Sequence, residues 1–168
     1  MYTFVLACLL CTQPAPLTVV SPDFEDGGYI PSRFTCDGDD VNPTLLINGI
    51  PQGTKSLVLI VEDPDATITT FTQWLVWNIP PMERIGENTV PGVQGMNTVG
   101  KNPYRGPCPV AGSQRYVFRV LAIDRLLNLD AGARRHDVEK AISGHVLASG
   151  ELFGEYNRTI AEGETVKE

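Results

Sequence analysis

Only two histidines, His136 and His145, occur in the 168 residues, and that scarcity limits the chemistry at once. A serine or cysteine hydrolase needs an imidazole beside its nucleophile, so any such mechanism would have to recruit one of these two. The Gly-x-Ser-x-Gly turn that presents a hydrolase serine is absent, as is a complete phosphate-cradling Gly-x-x-x-x-Gly-Lys-Ser/Thr loop, since Gly95 to Lys101 is followed by Asn102. Basic residues are also few: 13 Lys and Arg stand against 20 Asp and Glu, a net charge of −7 with no basic cluster. That balance lacks the electrostatic footprint of a nucleic-acid partner. No apolar run approaches the roughly 20 residues of a membrane-spanning helix, which predicts a soluble body. The four cysteines include one close pair, Cys8 and Cys11, with no second pair to complete a zinc site.

What is present points to one β-rich domain. A 168-residue chain that is 42% hydrophobic can bury one substantial core, and its 16 glycines and 13 prolines are scattered between short apolar runs. Leu17 to Pro22 reads as a first strand. The polar stretch from Asp23 to Pro43 reads as a long connection with turns at Gly27-Gly28 and Asp37-Gly38. "SLVLIVED", Ser56 to Asp63, is a nearly continuous apolar run that suits a strand buried on both faces, and "QWLVWNIPP" is its expected neighbour. Pro81 to Arg105 is too rich in Gly and Pro for a helix. Arg115 to Asp124 alternates as a strand, with Tyr116, Phe118 and Val120 on one face and Arg115, Val117 and Arg119 on the other. Val138, Ala141, Ile142, His145, Val146 and Ser149 recur at helical spacing, predicting one amphipathic helix over 134–149 that carries both histidines on different faces. "GELFGEY" is expected to be a final short strand.

Four local constellations carry chemical interest. In "EDPDAT", Pro64 forces a tight turn at the end of a buried strand, so one carboxylate should cap a turn or enter a cavity; Asp65 is the better candidate for the structural Asx turn. Pro107 and Pro109 stiffen the turn around Cys108, which either walls a pocket or merely turns the chain. Cys36 and Cys108 could meet as a disulfide or as two free thiols lining a cavity. Trp74 and Trp77 have core packing as their default role, although Trp74 starts its strand at the same end as the acids.

Taken in order, "FTCDGDDVNP", "DPDAT", "QWLVWNIP" and "GKNPYRGPCPVAGSQRYVF" resemble the phosphatidylethanolamine-binding protein family, in its bacterial and archaeal Raf kinase inhibitor-like branch. The resemblance runs from about Leu17 to Arg158. It implies a mainly β fold, an antiparallel β-sandwich with a C-terminal helix flanking the sheet. It also implies a small pocket for anions such as phosphate or acetate and for phospholipid headgroups. Carried over residue by residue, the pocket comprises Asp63, Gln73, Trp74, Gly106, Pro107, Cys108, Pro109, Gln114 and Tyr116, with Asp65 and Arg115 supporting its frame.

The sequence departs from the family pattern where charge matters most. Gln73 and Gln114 stand where the family has its two pocket histidines, Thr67 replaces the last proline of the Asp-Pro-Asp-Ala-Pro motif, and Val110 replaces a proline after Cys108. Amides can donate hydrogen bonds but carry no proton charge, so anion binding should be weakened, and the preference should move toward neutral or cationic ligands.

The expected function is therefore non-enzymatic binding of a small phosphate, carboxylate or headgroup ligand, without cofactor or metal. The alternative is a protein-interaction inhibitor of a kinase or serine protease, acting through the turn-rich region from Asn88 to Tyr104. A third reading is a hydrolase using Ser113 or Cys108. The domain is expected over 17–158, after an N-terminal extension of residues 1–16 and before a polar tail over 159–168. Phe4 to Leu10 is apolar but short and has no basic residue before it, and a lipoprotein-type reading of "VLAC" leaves an apolar region of only about four residues ahead of the cysteine, so export is disfavoured and the cytoplasm expected.

Overall fold

The apolar run Ser56–Asp63 becomes the strand around which the architecture is organised. The computed structural model describes residues 16–66 and 70–158; the expectations for the N-terminal apolar segment and the acidic tail fall outside them. In chain order the elements are β1 (Thr18–Val20), β2 (Gly28–Tyr29), β3 (Leu45–Asn48), β4 (Ser56–Asp63), β5 (Phe71–Ile79), β6 (Arg84–Ile85), β7 (Val93–Gln94), β8 (Gly112–Ile123), α1 (Arg135–Ile142) and β9 (Val146–Arg158). Every residue of β4 is buried because both of its faces are covered. Leu57, Leu59 and Val61 share one core with Val76 and Phe118, while Val58 and Ile60 share another with Leu75 and Trp77.

A six-stranded sheet in the order β2-β9-β8-β4-β5-β7 forms the centre, and a three-stranded sheet in the order β1-β3-β6 accompanies it. Val19, Leu45, Ile47 and Ile85 of the smaller sheet pack into the first core, which makes that side a sandwich. Val138 and Ile142 of α1 pack into the second core, so the helix flanks the opposite face. All strand pairs are antiparallel except β2 with β9.

The chain departs from the expected helix at Gly144. α1 starts where the Asp137 carboxylate accepts the backbone N–H of Arg134 at 2.9 Å, and it ends at Ile142. Gly144 takes a φ of +77°, the left-handed conformation that stops a helix, and the N–H of His145 closes back on the Ile142 carbonyl at 2.9 Å. The two histidines therefore do not share a helix. From Val146 the backbone instead pairs along β8, and the final strand is 13 residues long rather than a short one. β3, over "LLIN", went unread in the sequence, and three two-residue strands, β2, β6 and β7, lie within segments read as connections.

Candidate ligand pocket

The end of β4 turns on a carboxylate. Asp63 Oδ1 accepts the backbone N–H of Asp65 at 2.9 Å, so Asp63 makes the turn-capping contact expected of Asp65. The reason is positional: Asp63 closes the strand and points inward, whereas Asp65 lies beyond Pro64 and faces solvent, 3.4 Å from Arg115. Only 4% of Asp63 is exposed. Burial holds its carboxyl above the usual carboxylate range, the charge of Asp65 adds to the rise, and backbone hydrogen bonds from Asp65 and Ala66 oppose it.

Glu62, one residue earlier, faces the helix side and pairs with Arg119 and Arg135. Strand alternation sends Asp63 to the sandwich side, the face on which Val61, Phe118 and Tyr116 pack. Tyr116 is fully buried; its hydroxyl accepts the N–H of Cys108 at 3.2 Å and donates to Gln114 Oε1 at 3.4 Å. Burial, reinforced by the charge of Asp63, keeps that phenol strongly protonated. Arg115 lies on the other face, as alternation requires, with its guanidinium 5.8 Å from the Phe153 ring.

Gln73 arrives through a break in the register of β5. Val61 pairs with Trp74 and Glu62 with Thr72, which leaves Gln73 without a partner on β4. Such a bulge re-aims side chains. Thr72, opposite Glu62, belongs to the helix side, so alternation puts Gln73 on the side of Asp63, and the bulge brings Trp74 to that side as well. Gln73 is 4% exposed, and its Oε1 has no hydrogen-bond partner among the described residues. Trp74 is buried, donates through Nε1 to Gln94 Oε1 at 2.7 Å, and meets Tyr104 edge-on with ring centroids 5.5 Å apart.

The stiff turn 106–109 lies against Tyr116, to whose hydroxyl Cys108 donates. Cys108 is disulfide-bonded to Cys36, which resolves the open choice between a bridge and free thiols and removes Cys108 as a nucleophile. The Cys36 N–H also donates to the Pro107 carbonyl at 3.2 Å, and the Gly106 N–H donates to Asp40 Oδ1 at 2.6 Å. A Cβ on Gly106 would lie 2.3 Å from the Phe34 carbonyl oxygen, so only glycine permits this approach. Gly106, Pro107 and Pro109 are buried, while Cys108 and Gln114 are half-buried.

Several participants were missed in the sequence. Tyr156 lies opposite Gln114 in register and donates to Asp37 Oδ2 at 2.8 Å, and Arg158 pairs with Asp37 Oδ1 at 2.9 Å. Tyr104 donates to the Phe34 carbonyl at 3.0 Å. The acid-rich "CDGDD" was the available signal, but the strand partners of its Asp37 lie more than 100 residues away. A recess of about 390 Å³, lined by Arg125, Leu129, Lys140 and His145 among others, lies away from these residues, beyond the opposite end of β8. There His145 Nδ1 meets Asp124 at 2.8 Å and Nε2 meets Arg125 at 2.8 Å.

A two-sheet β-sandwich with a buried carboxylate at the end of its central strand, beside a cross-linked proline turn, defines the class of this protein. The sequence profile of the phosphatidylethanolamine-binding protein family matches residues 20–157. The UPF0098 protein of Pyrococcus abyssi is 46% identical over 150 residues, covering 83% of this chain and 84% of that protein. That of Archaeoglobus fulgidus is 45% identical over 162 residues, covering 91% of this chain and 55% of that protein, so the chain spans about half the length of that relative. Among solved structures, a phosphatidylethanolamine-binding protein homologue from Chlamydia trachomatis superposes with a TM-score of 0.83 at 34% identity, covering 86% of this chain and 99% of the other. E. coli YbcL, described as a member of the mammalian PEBP family, gives 0.80 at 27% identity, covering 86% of this chain and all (100%) of the other. The chain belongs to the phosphatidylethanolamine-binding protein family.

Proposed function

We propose that this chain is a binding protein for a small polar ligand, a phosphate or carboxylate group or a phospholipid headgroup, which it holds at Asp63, Gln73, Gln114 and Tyr116 and does not turn over. The observation that carries this reading is the β5 bulge, because a one-residue shift in register at the mouth of a sheet, beside a buried carboxylate, is a device for aiming a side chain at a ligand. The site suits a group of few heavy atoms: Asp63, Gln73 and Tyr116 are buried, and the half-buried Gln114 and Cys108 stand nearest solvent. Two amides in place of the family's two histidines lower the affinity for anions. The Cys36–Cys108 bridge supports a compartment that oxidises thiols, against the cytoplasmic expectation, hyperthermophile cytosols being the known exception.

The test is an NMR titration with phosphate, acetate and phosphoethanolamine, reading the side-chain amides of Gln73 and Gln114 and the backbone amides of Asp65 and Ala66. Saturable shifts confined to these groups are expected from at least one probe. If none of the three moves them, the binding reading is wrong.

A further inference from the structure

The recess of about 390 Å³ at the end of β8 remote from Asp63 falls within the roughly 300–1,000 Å³ of small-molecule sites. Arg125 and Leu129 line it from the loop after β8, Lys140 and Ala141 from α1, and His145 from the turn into β9. The loop is pinned through its backbone. Ser56 Oγ donates to the Arg125 carbonyl at 2.6 Å, and the Asn78 amide clamps Leu127, accepting its N–H at 2.8 Å and donating to its carbonyl at 2.9 Å. Leu127 is itself buried in the second core, against which Leu129 and Ala141 pack. This wall is in place before any ligand arrives, which avoids the entropy cost of ordering a loose loop around one.

The cations of the recess differ from most others in the molecule. Arg33, Arg115, Arg119, Arg135 and Arg158 each pair with a carboxylate. Among the described residues neither Arg125 nor Lys140 does, because the acids nearest them in sequence are engaged elsewhere. Asp124 meets His145 Nδ1 at 2.8 Å, and Asp137 accepts the Arg134 N–H at 2.9 Å. Arg125 Nη1 instead meets His145 Nε2 at 2.8 Å. A guanidinium can only donate, so Nε2 accepts, and the ring is the neutral tautomer whose Nδ1–H donates to Asp124. The Nε2 lone pair that a general base would use is therefore occupied. Arg125 is oriented by a partner without charge, and its remaining N–H groups have no protein acceptor among the described residues. Asp137 also lines the recess, one helical turn before Lys140, and repels an anion toward the end where Arg125 and Lys140 lie.

We propose that this recess is a binding site for a small organic carboxylate that carries an apolar body, separate from the residues at the end of β4 and independent of their role. Arg125 and Lys140 hold the carboxylate, the guanidinium through its planar donors and the ammonium as a point charge. Leu129 and Ala141 cover the apolar body. A bare anion would engage the two cations and leave the apolar lining wet, and a neutral apolar molecule would do the reverse. Only a ligand with both parts uses the whole recess.

The experiment titrates the full chain at pH 8 and constant ionic strength with benzoate, acetate and benzyl alcohol separately, reading the ring protons of His145 and the backbone amides of Lys140 and Ser143 by NMR. The chain has only two histidines, and the exposed His136, which does not line the recess, serves as the internal reference. Benzoate should give saturable shifts at these groups and bind about tenfold or more tightly than either acetate or benzyl alcohol. Arg125→Gln and Lys140→Gln, both at exposed positions, should each weaken benzoate by about ten- to a hundredfold. Lys140→Gln also leaves the contact between Arg125 and His145 in place, so it carries the test if Arg125→Gln disturbs the loop. Benzyl alcohol or acetate binding as tightly as benzoate overturns the proposal, as does benzoate affinity unchanged in Lys140→Gln, or no response at His145. Benzoate shifts confined to the side-chain amides of Gln73 and Gln114 would also overturn it, while supporting the ligand reading at the end of β4.

Discussion

At the scale of single residues, the informative contrast is between Asp63 and Asp65. The sequence marks both as turn residues beside Pro64, but which one caps the turn depends on which is buried. Asp63 ends a strand covered on both faces and is the one that caps, and its burial raises its carboxyl above the usual range. A raised folded-state value means the native protein holds this proton more tightly than the unfolded chain. The native state is therefore favoured at low pH and loses that advantage as pH rises through the folded value. Asp63→Asn should accordingly stabilise the ligand-free protein at pH 7, by on the order of 1 kcal/mol or about 2–4 °C in Tm, with the difference vanishing below about pH 4. Thermal melts of both proteins across pH 3 to 8 measure this, and a variant less stable at pH 7 would refute it. Gln73 was legible as a candidate site position only through the family resemblance; nothing in its neighbours announces the bulge that places it.

At the scale of elements, local pattern succeeded where burial is two-sided and failed where partners are distant. β4 was read to the residue because eight consecutive buried positions leave little ambiguity. β9 was read short because its first residues, Val146 to Ser149, continue the helical spacing by coincidence past Gly144. The available edge of β8 then decided the matter, since pairing supplies hydrogen bonds that an isolated last helical turn lacks. The loop 106–109 shows the same dependence on a partner. Its glycine is required by the Phe34 carbonyl, whose contact lies 72 residues back in the chain. Gly106→Ala should cost about 1–3 kcal/mol in urea unfolding, because the contact is with backbone and cannot yield by side-chain rotation. The same variant should displace Cys108 from Tyr116 and so perturb the Gln114 amide in the free protein. An unchanged unfolding midpoint would show that the two loops can separate at no cost.

At the scale of the whole molecule, a single cross-link ties the two loops beside the candidate site. Cys36 and Cys108 are 72 residues apart, so their bridge closes β3 and β6 of the three-stranded sheet, β4, β5 and β7 of the six-stranded sheet and the turn-rich region into one loop. By loop-closure entropy that cross-link stabilises the fold by about 4 kcal/mol, and its reduction should lower Tm by about 8–16 °C. Melting with and without a dithiol reductant measures this, and a Cys36→Ala, Cys108→Ala variant should match the reduced protein. A reduced protein as stable as the oxidised one would mean that the hydrogen bonds between the loops suffice alone. What the sequence determined by itself was the part written in near neighbours: the buried central strand, the β-rich class, the stiff proline turn, the opposite facing of Arg115 and Tyr116, and the family that its ordered motifs resemble. Tertiary structure alone decided the register of Gln73, the pairing of Cys36 with Cys108, the end of the helix and the burial of Asp63 without an ion-pair partner among the described residues, because each depends on groups far apart in the chain whose meeting no local pattern encodes.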